Sequence, residues 1–549
     1  MIGQNGTGII GLLSASALLS FGLSSCDAEE TRPNIILIMA DDMGISDIGS
    51  FGSEINTPNL DRLAENGVRF SQFYNGARCC PTRASLLTGL YAHQTGVGHM
   101  TSDFGHDAYR GELNYKGVTI AEALGNSGYA TFMSGKWHVT NQMGYWTGNE
   151  NQKSKHNWPL QRGFDRFFGT ILGAGSFFDP ITLVKGNEPI EPVSENFYYT
   201  DAINNHAVRF IEEHAGSGDD RPFFAYVSHV APHWPLHALP EDIERYRGRY
   251  DEGWDRLRDE RLSRMKEIGF IEDHFELSPR DPGVPAWEEE EHQEWMKRAM
   301  EVYAAQVDNM DQGIGRIIET LEKNGMLNNT LIVFLADNGG SAEVLTDRWR
   351  GLFIPEETRD GRPVKLGNDP DYLPGPEETY QSYGVGWANA SNTPYRLYKI
   401  FVHEGGIISP FIMHWPDGIK YKDEWRRYPS HIIDLMPTFL DIAGAGYPER
   451  FNDEDILPLE GRSLMPYIRN DRIEREDALF WEHSGNRAVR DGQWKLVQRL
   501  NQQWELYDIL TDRTEINDLS AEMPEKVEEL KEKYEAWADH VGALPWPVR

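Results

Sequence analysis

Three short apolar runs, each stopping at residues with chemical potential, constrain the architecture of this chain most. Asn34 to Ala40 (NIILIMA) stops at Asp41-Asp42, Phe223 to Val230 (FFAYVSHV) enters a His- and Pro-rich stretch, and Leu331 to Ala336 (LIVFLA) stops at Asp337-Asn338. Such runs bounded by polar turns read as buried strands. Between them, Ala304, Val307, Ile314, Ile317 and Leu321 recur with helical spacing, and Asn324-Gly325 supplies a stop signal. Strands alternating with helices predict an α/β domain with a largely parallel sheet. Ligands in such sheets collect at the carboxyl ends of the strands, where these polar clusters sit.

After about residue 445 the texture changes. Ala478 to Leu510 alternates apolar and polar residues between turn signals, and Pro524 to Val541 reads as an amphipathic helix. The expected organisation is a large α/β domain over residues 32–445 and a smaller domain over 446–549 with an antiparallel sheet and a closing helix. A charged stretch between residues 240 and 300 and a Gly- and Pro-rich stretch between 345 and 395 are expected to form surface loops or lids.

At the amino terminus, Ile9 to Leu23 has the length of a signal-peptide core, too short to span a bilayer comfortably. It ends in Leu23-Ser24-Ser25-Cys26, which resembles a bacterial lipobox. This predicts a signal peptide over residues 1–25, lipidation of Cys26, a short linker over 26–31, and an outer-membrane or cell-surface lipoprotein that meets the membrane only through that lipid. An ordinary cleaved signal and a periplasmic protein is the alternative, and no Lys or Arg precedes the apolar run to form the usual basic segment. The formal net charge of −33 argues against nucleic acid as a partner, since a phosphate backbone would be repelled over most of the surface. The acidic run Glu288 to Glu291 reads as a solvated face. An anionic substrate would need positive charge gathered locally.

Asp41, Asp42, Asp337 and Asn338 form an all-oxygen set at two strand ends. Three carboxylates packed together raise one another's pKa or push the site apart unless a cation joins them. The lack of Cys or His in the set favours Ca²⁺, or less readily Mg²⁺, over Zn²⁺, while turn chemistry is the bland alternative. His229, His233 and His237 are spaced as if to share a helix face, but Pro232 and Pro235 make HVAPHWPLH an extended loop from which a single histidine can enter a site.

Cys79 and Cys80 stand side by side in a chain with three cysteines. Pro81 suits a first helical position and Gly89 ends the helix, so Cys79 falls at or just before a helix amino terminus, which favours anions, with Arg83 one turn on. A buried thiol packing as a small hydrophobe and a strained vicinal disulfide are the competing readings.

Cys79-Cys80-Pro81-Thr82-Arg83, continuing into Ala84 to Gly89, resembles the Cys-x-Pro-x-Arg signature of type I sulfatases, whose first cysteine is oxidised to formylglycine. NIILIMADDMG resembles the family's amino-terminal metal strand, GKWHV at residues 135–139 its second signature, APHWP its third, LADNGG its other metal strand, and KIFVHEGG at residues 399–406 its lysine-bearing segment. They occur in family order from about residue 32 to 420. The resemblance implies an alkaline-phosphatase-like fold: a large mixed, mostly parallel sheet sandwiched by helices, with a smaller carboxyl-terminal sheet.

It also implies hydrolysis of sulfate esters by the hydrate of a formylglycine made from Cys79, one hydroxyl attacking sulfur and the other collapsing to eject sulfate. Asp41, Asp42, Asp337, Asn338 and the modified Cys79 would hold Ca²⁺. Asp337 would also take the attacking proton, Arg83 would orient the hydrate, Lys136 and Lys399 would bind sulfate oxygens, His138 would deprotonate the second hydroxyl, and His233 would protonate the leaving alcohol. A formylglycine-generating maturation enzyme is an implied partner. The expected substrate is a sulfated carbohydrate, or else an aryl sulfate. Two rivals stand beside this reading: a phosphonate monoester or phosphodiester hydrolase using the same residues, and a sulfoglycan-binding lipoprotein whose cysteine is never modified. Trp137, Trp146, Trp158 and Trp234 are expected to be packed rather than to stack on sugar, and His229, His237 and His403 have no clear place.

Overall fold

A computed structural model describes residues 32–190, 195–349, 351–470 and 475–548. The signal segment, Cys26 and the linker lie outside the described residues. Among the described residues, no helix is long and apolar enough to cross a membrane.

The main sheet runs, from one edge to the other, through Glu424–Arg426, Val68–Tyr74, Ile408–His414, Thr330–Ala336, Asn34–Ala40, Phe223–Ser228, Ala130–Gly135, Arg166–Thr170, Leu183–Lys185 and Glu188–Pro189, with Ser430–His431 also paired to Val68–Tyr74. The five strands from Thr330–Ala336 to Arg166–Thr170 are parallel, and antiparallel pairs flank them. Alternation along the strands builds two cores. Ile36 and Ile38 share one face with Ala225, Ile332 and Phe334, and Ile35, Leu37 and Met39 share the other with Phe224, Leu331 and Val333. The helices Tyr199–Gly216 and Gln293–Lys323 place buried residues in the first core. The helices Cys79–Thr88 and Leu435–Ala443 do so in the second.

Register positions the chemistry. Ala40 lies opposite Ala336, and Ser228 opposite both Met39 and Gly135, so Asp41, Asp337 and Lys136 leave the sheet at nearly one level. The expected helix over Ala304 to Leu321 is part of Gln293–Lys323, capped by Asn324. HVAPHWPLH forms no helix, as its prolines require. Cys79–Thr88 begins at Cys79 itself and places Pro81 third rather than first, still within the turn whose amides need no helical acceptor. Gly89 closes it in the left-handed region at φ 70°.

The stretch between 240 and 300 corrects the expectation of surface loops. It carries the helices Pro240–Glu244 and Gly253–Glu267, and Trp254 packs edge-on against Trp287 and Trp387, which are tilted to each other, in a buried cluster with centroids 4.7–5.8 Å apart. The stretch between 345 and 395 is mostly irregular, but its Gly384–Ser391 helix brings Trp387 into that cluster.

Residues Leu479–His483, Asn486–Asp491, Trp494–Gln498 and Trp504–Asp508 form the expected antiparallel sheet, of four strands, and Pro524–Val541 is the expected helix packed on it. Trp481 Nε1 donates to Asn75 O at 2.8 Å and Arg490 Nη2 to Gln72 Oε1 at 2.6 Å, tying this sheet to the strand that precedes Cys79.

Candidate active site

Asp41 and Asp42 follow directly from the central strand, and Asp42 adopts φ 60°, a conformation uncommon for a residue with a Cβ. Its amide donates to Asp337 Oδ1 at 3.2 Å, and Asn338 Nδ2 donates to Asp42 Oδ1 at 2.8 Å. The four expected oxygen ligands therefore meet, all buried. Asp41 Oδ1 and Asn338 Oδ1 have no hydrogen-bond partner among the described residues. Buried acceptors without donors are uncommon unless an ion or water satisfies them, and an all-oxygen donor set suits a hard divalent cation. The residues present thus fit Ca²⁺. His233 also reaches this set, with a ring nitrogen within 4.8 Å of carboxylate oxygens of Asp41 and Asp42.

Each carboxylate also faces a cation. Arg83 donates to Asp337 Oδ2 through Nε at 3.0 Å and Nη2 at 2.7 Å, Lys136 Nζ donates to Asp41 Oδ2, and Lys399 Nζ donates to Asp42 Oδ2 at 2.8 Å. Burial, reinforced by the Asp337 charge, pushes the Asp41 carboxyl well above the usual range. Burial pulls the Lys136 ammonium down, and the charges of Asp41, Cys79 and Asp337 together more than offset it. The same balance, with Asp42 and Glu343 as counter-charges, raises Lys399.

Lys136 and His138 leave the sheet after Gly135, whose φ is 109°. Lys136 N donates to Ser228 O at 2.8 Å, Trp137 N to Thr170 O at 2.9 Å and His138 N to Ile171 O at 3.1 Å. His138 itself sits at φ 56°, and its ring lies against Gly173, where a Cβ would stand 2.0 Å from Cε1. Ligand atoms of Cys79, Cys80 and His138 all lie within 4.8 Å of one another. A hydrogen bond from Cys80 holds the Cys79 thiol well below the usual range, against burial and with help from Lys136. Burial pushes His138 down to about 4, so the ring is neutral at pH 7 and Lys136 is the cation beside the sulfur. Both thiols are free, and Cys79 is 1% exposed.

His233 enters from the proline-rich loop. Its Nδ1–H donates to Trp234 O at 2.6 Å, leaving the Nε2 lone pair to accept from Lys399 Nζ at 3.3 Å. Burial pulls its pKa to about 3. Lys399 is followed by Ile400 at φ 84°, an outlier for a β-branched residue, held by Ile400 N donating to Ala77 O at 2.8 Å.

Every expected site residue thus lies in this centre, and the structure adds Glu343. Its Oε2 accepts from Lys399 Nζ at 2.9 Å, Trp234 Nε1 at 2.9 Å and Ser341 Oγ at 3.0 Å, and its Oε1 accepts from Arg78 Nη2 at 3.1 Å. Lys399 and Arg78 hold its carboxyl below the usual range despite burial. Nothing periodic marks Glu343 in the sequence; its only signal is an acidic residue soon after Asp337-Asn338. The other histidines stay outside: His237 bonds Thr379 O and the Phe177 amide, His403 faces Glu505, and both nitrogens of His229 are buried without partners among the described residues. Trp137 and Trp158 are fully buried and Trp234 nearly so; Trp146 is half-buried against Trp158.

Comparison with known proteins agrees with this geometry. A family model described as Sulfatase matches residues 33–445, and one described as N-sulphoglucosamine sulphohydrolase, C-terminal, matches residues 395–539. An uncharacterized sulfatase of Schizosaccharomyces pombe is 34% identical, covering 95% of this chain and 96% of its own length. An arylsulfatase of Klebsiella aerogenes is 34% identical over 80% of this chain and 92% of its own. The solved structure of Ps i-CgsB in complex with k-i-k-neocarrahexaose superposes with a TM-score of 0.66 at 26% identity, covering 92% of this chain and 93% of that one. With the matched model spanning most of its length, the chain belongs to the sulfatase family and is a sulfuric ester hydrolase.

Proposed function

We propose that the protein hydrolyses the sulfate ester of a carbohydrate, with a formylglycine made from Cys79 as nucleophile and Ca²⁺ held by Asp41, Asp42, Asp337 and Asn338. The observation that carries this reading is the convergence of Cys79, Lys136, His138, His233 and Lys399, from four segments, on one buried carboxylate set. In this chain the Cys79 sulfur stands where the reacting oxygen of the converted residue would be. The converted residue supplies a hydroxyl nucleophile with a built-in route for releasing sulfate, and the cation supplies charge for the sulfuryl oxygens.

The chain's own residues do the remaining work. Lys136 and Lys399, fixed by Asp41 and by Asp42 with Glu343, bind the sulfate oxygens. Arg83, locked on Asp337 and one helical turn on from position 79, orients the converted residue. Asp337, whose Oδ1 accepts from the Asp42 amide, takes the nucleophile's proton. His138, neutral at rest, is the base beside position 79. His233 delivers a proton to the leaving oxygen through Nε2, its ring oriented by the Trp234 carbonyl. Arrival of the substrate's negative charge raises its pKa from the low resting value and lets it carry that proton. The carbohydrate assignment is supported by the hexaose bound to the structurally similar Ps i-CgsB.

The test is peptide mass spectrometry across Cys79, from protein made with a maturation enzyme, alongside turnover of matched nitrophenyl sulfate and phosphonate esters. Thiol-to-aldehyde conversion with preferred sulfate turnover is expected, and Cys79→Ala should lose at least about 10³-fold in kcat. Preferred phosphonate turnover would replace the sulfatase reading. An unmodified thiol in a host that converts a control sulfatase would favour a binding protein.

A further inference from the structure

The carboxyl-terminal sheet reaches the candidate active site through one hairpin. Leu479–His483 and Asn486–Asp491 are joined by Ser484 and Gly485 at φ 52° and 81°, the positive pair that a tight two-residue turn demands. Asn486 Nδ2 donates to Ile400 O at 3.3 Å, and Ile400 N in turn donates to Ala77 O at 2.8 Å. The hairpin tip is thereby fastened to the backbone that carries Lys399 on one side and Arg78-Cys79 on the other.

At that tip two imidazoles lie parallel. The rings of His99 and His483 are 5.1 Å apart at 7°, His99 also stacks on Trp546 at 4.5 Å, and His99 Nε2 bonds Ser484 Oγ at 3.1 Å. Nδ1 of each ring is buried and has no hydrogen-bond partner among the described residues, although His483 as a whole is only 1% exposed. Two adjacent orphaned ring nitrogens are costly unless something else satisfies them. Neither belongs to the catalytic set.

We propose that His99 and His483 form a subsite for hydroxyl groups of the sugar that carries the sulfate, so that the carboxyl-terminal sheet contributes substrate recognition. This rests on the sulfate-ester reading above. The chemistry suits a hydroxyl, which both donates and accepts, rather than a second anion. Burial pushes His99 down to about 4 and His483 well below the usual range, and the Arg78 charge adds to both, so the two rings are neutral at pH 7.

The test compares wild-type protein, His483→Ala, His99→Ala and the milder His483→Asn. Nitrophenyl sulfate, which has no hydroxyl, serves as one substrate. Galactose 6-sulfate, galactose 4-sulfate, N-acetylglucosamine 6-sulfate and fucose 2-sulfate are each assayed as substrate and as competitor. At least one sugar sulfate should be turned over or compete, and each alanine variant should lose at least about fivefold more toward that sugar than toward nitrophenyl sulfate. His483→Asn, which keeps a donor and an acceptor, should recover part of that difference. Equal losses on both substrate kinds, unaltered sugar kinetics, or no sugar recognised by a wild type that turns over nitrophenyl sulfate would each overturn the subsite. A wild type inactive on every sulfate ester would bring down the parent reading and the subsite with it.

Discussion

At the scale of single residues, the site depends on close approaches as much as on charged groups. Gly173 is an example, since its missing side chain leaves the space that the His138 ring occupies. Gly173→Ala should therefore push the imidazole away from position 79. A displacement of about 1 Å in a positioned group can cost on the order of 10²-fold in rate, whereas overpacking of one methyl costs about 1–3 kcal/mol. Turnover should fall by about that factor while the melting temperature drops only modestly. Unchanged kinetics in a variant with a normal melt would show that His138 does not act where it stands. Residues such as Gly173 and Glu343 were illegible beforehand for the same reason: they lie in irregular loops, and only the fold says what is opposite them. Asp41, Asp42, Asp337, Asn338 and Cys79 were legible because they sit at strand ends and a helix start, where pattern and chemistry coincide, whereas Lys136, His138, His233 and Lys399 were legible only through the family resemblance.

Elements are held by backbone proximity that leaves little choice of residue. At Gly135 the chain must take φ 109° while passing so close to the neighbouring strand that a Cβ would meet Ser228 O at 1.8 Å. Gly135→Ala should destabilise the protein by about 3 kcal/mol or more, through strain and lost pairing, read as a large fall in the denaturation midpoint. A fall of under about 1 kcal/mol would mean the strand end yields easily. The sheet was readable from its apolar runs because strands buried on both faces leave no polar alternation to confuse them. The Gly253–Glu267 helix was not, because its buried face mixes Trp254, Leu257 and Met265 with Arg258 and Arg261. Arg261 is neutralised inside by Asp47 at 2.6 Å and Glu54 at 2.9 Å, and Arg258 donates to Ser278 O at 2.7 Å. A buried ion pair imitates a solvated surface in any reading of periodicity.

Across the whole molecule, buried neutral histidines set the response to acid. Burial holds His229 and His431 at about 3 and His237 at about 4, whereas the unfolded chain titrates histidine near about 6.5. Between those values the unfolded state binds more protons, so stability is full above about pH 6.5 and falls as pH drops toward 4. Glu505, held at about 2 by His403 and its neighbours against burial, adds a loss that begins only below about pH 4.5. Melting temperature should decline from about pH 6.5 downward and more steeply below about 4.5. A melting temperature that stays flat from pH 7 to 5 would contradict this.

The depth of Cys79 bears on the order of events in the protein's making. On the proposed conversion, an enzyme that must grasp the chain around this thiol meets it in a helical turn, with only 1% of the residue exposed once the fold is complete. On that reading conversion would have to precede completion of the fold, and a molecule that folds first would keep its thiol. Strands distant in sequence must meet before that door shuts, and such pairings form slowly, which lengthens the time available. Folded thiol-form protein given the maturation enzyme should stay unconverted, and the same protein offered while unfolded should be converted. Conversion of the folded form at a comparable rate would mean that the helix opens locally far more often than its burial implies.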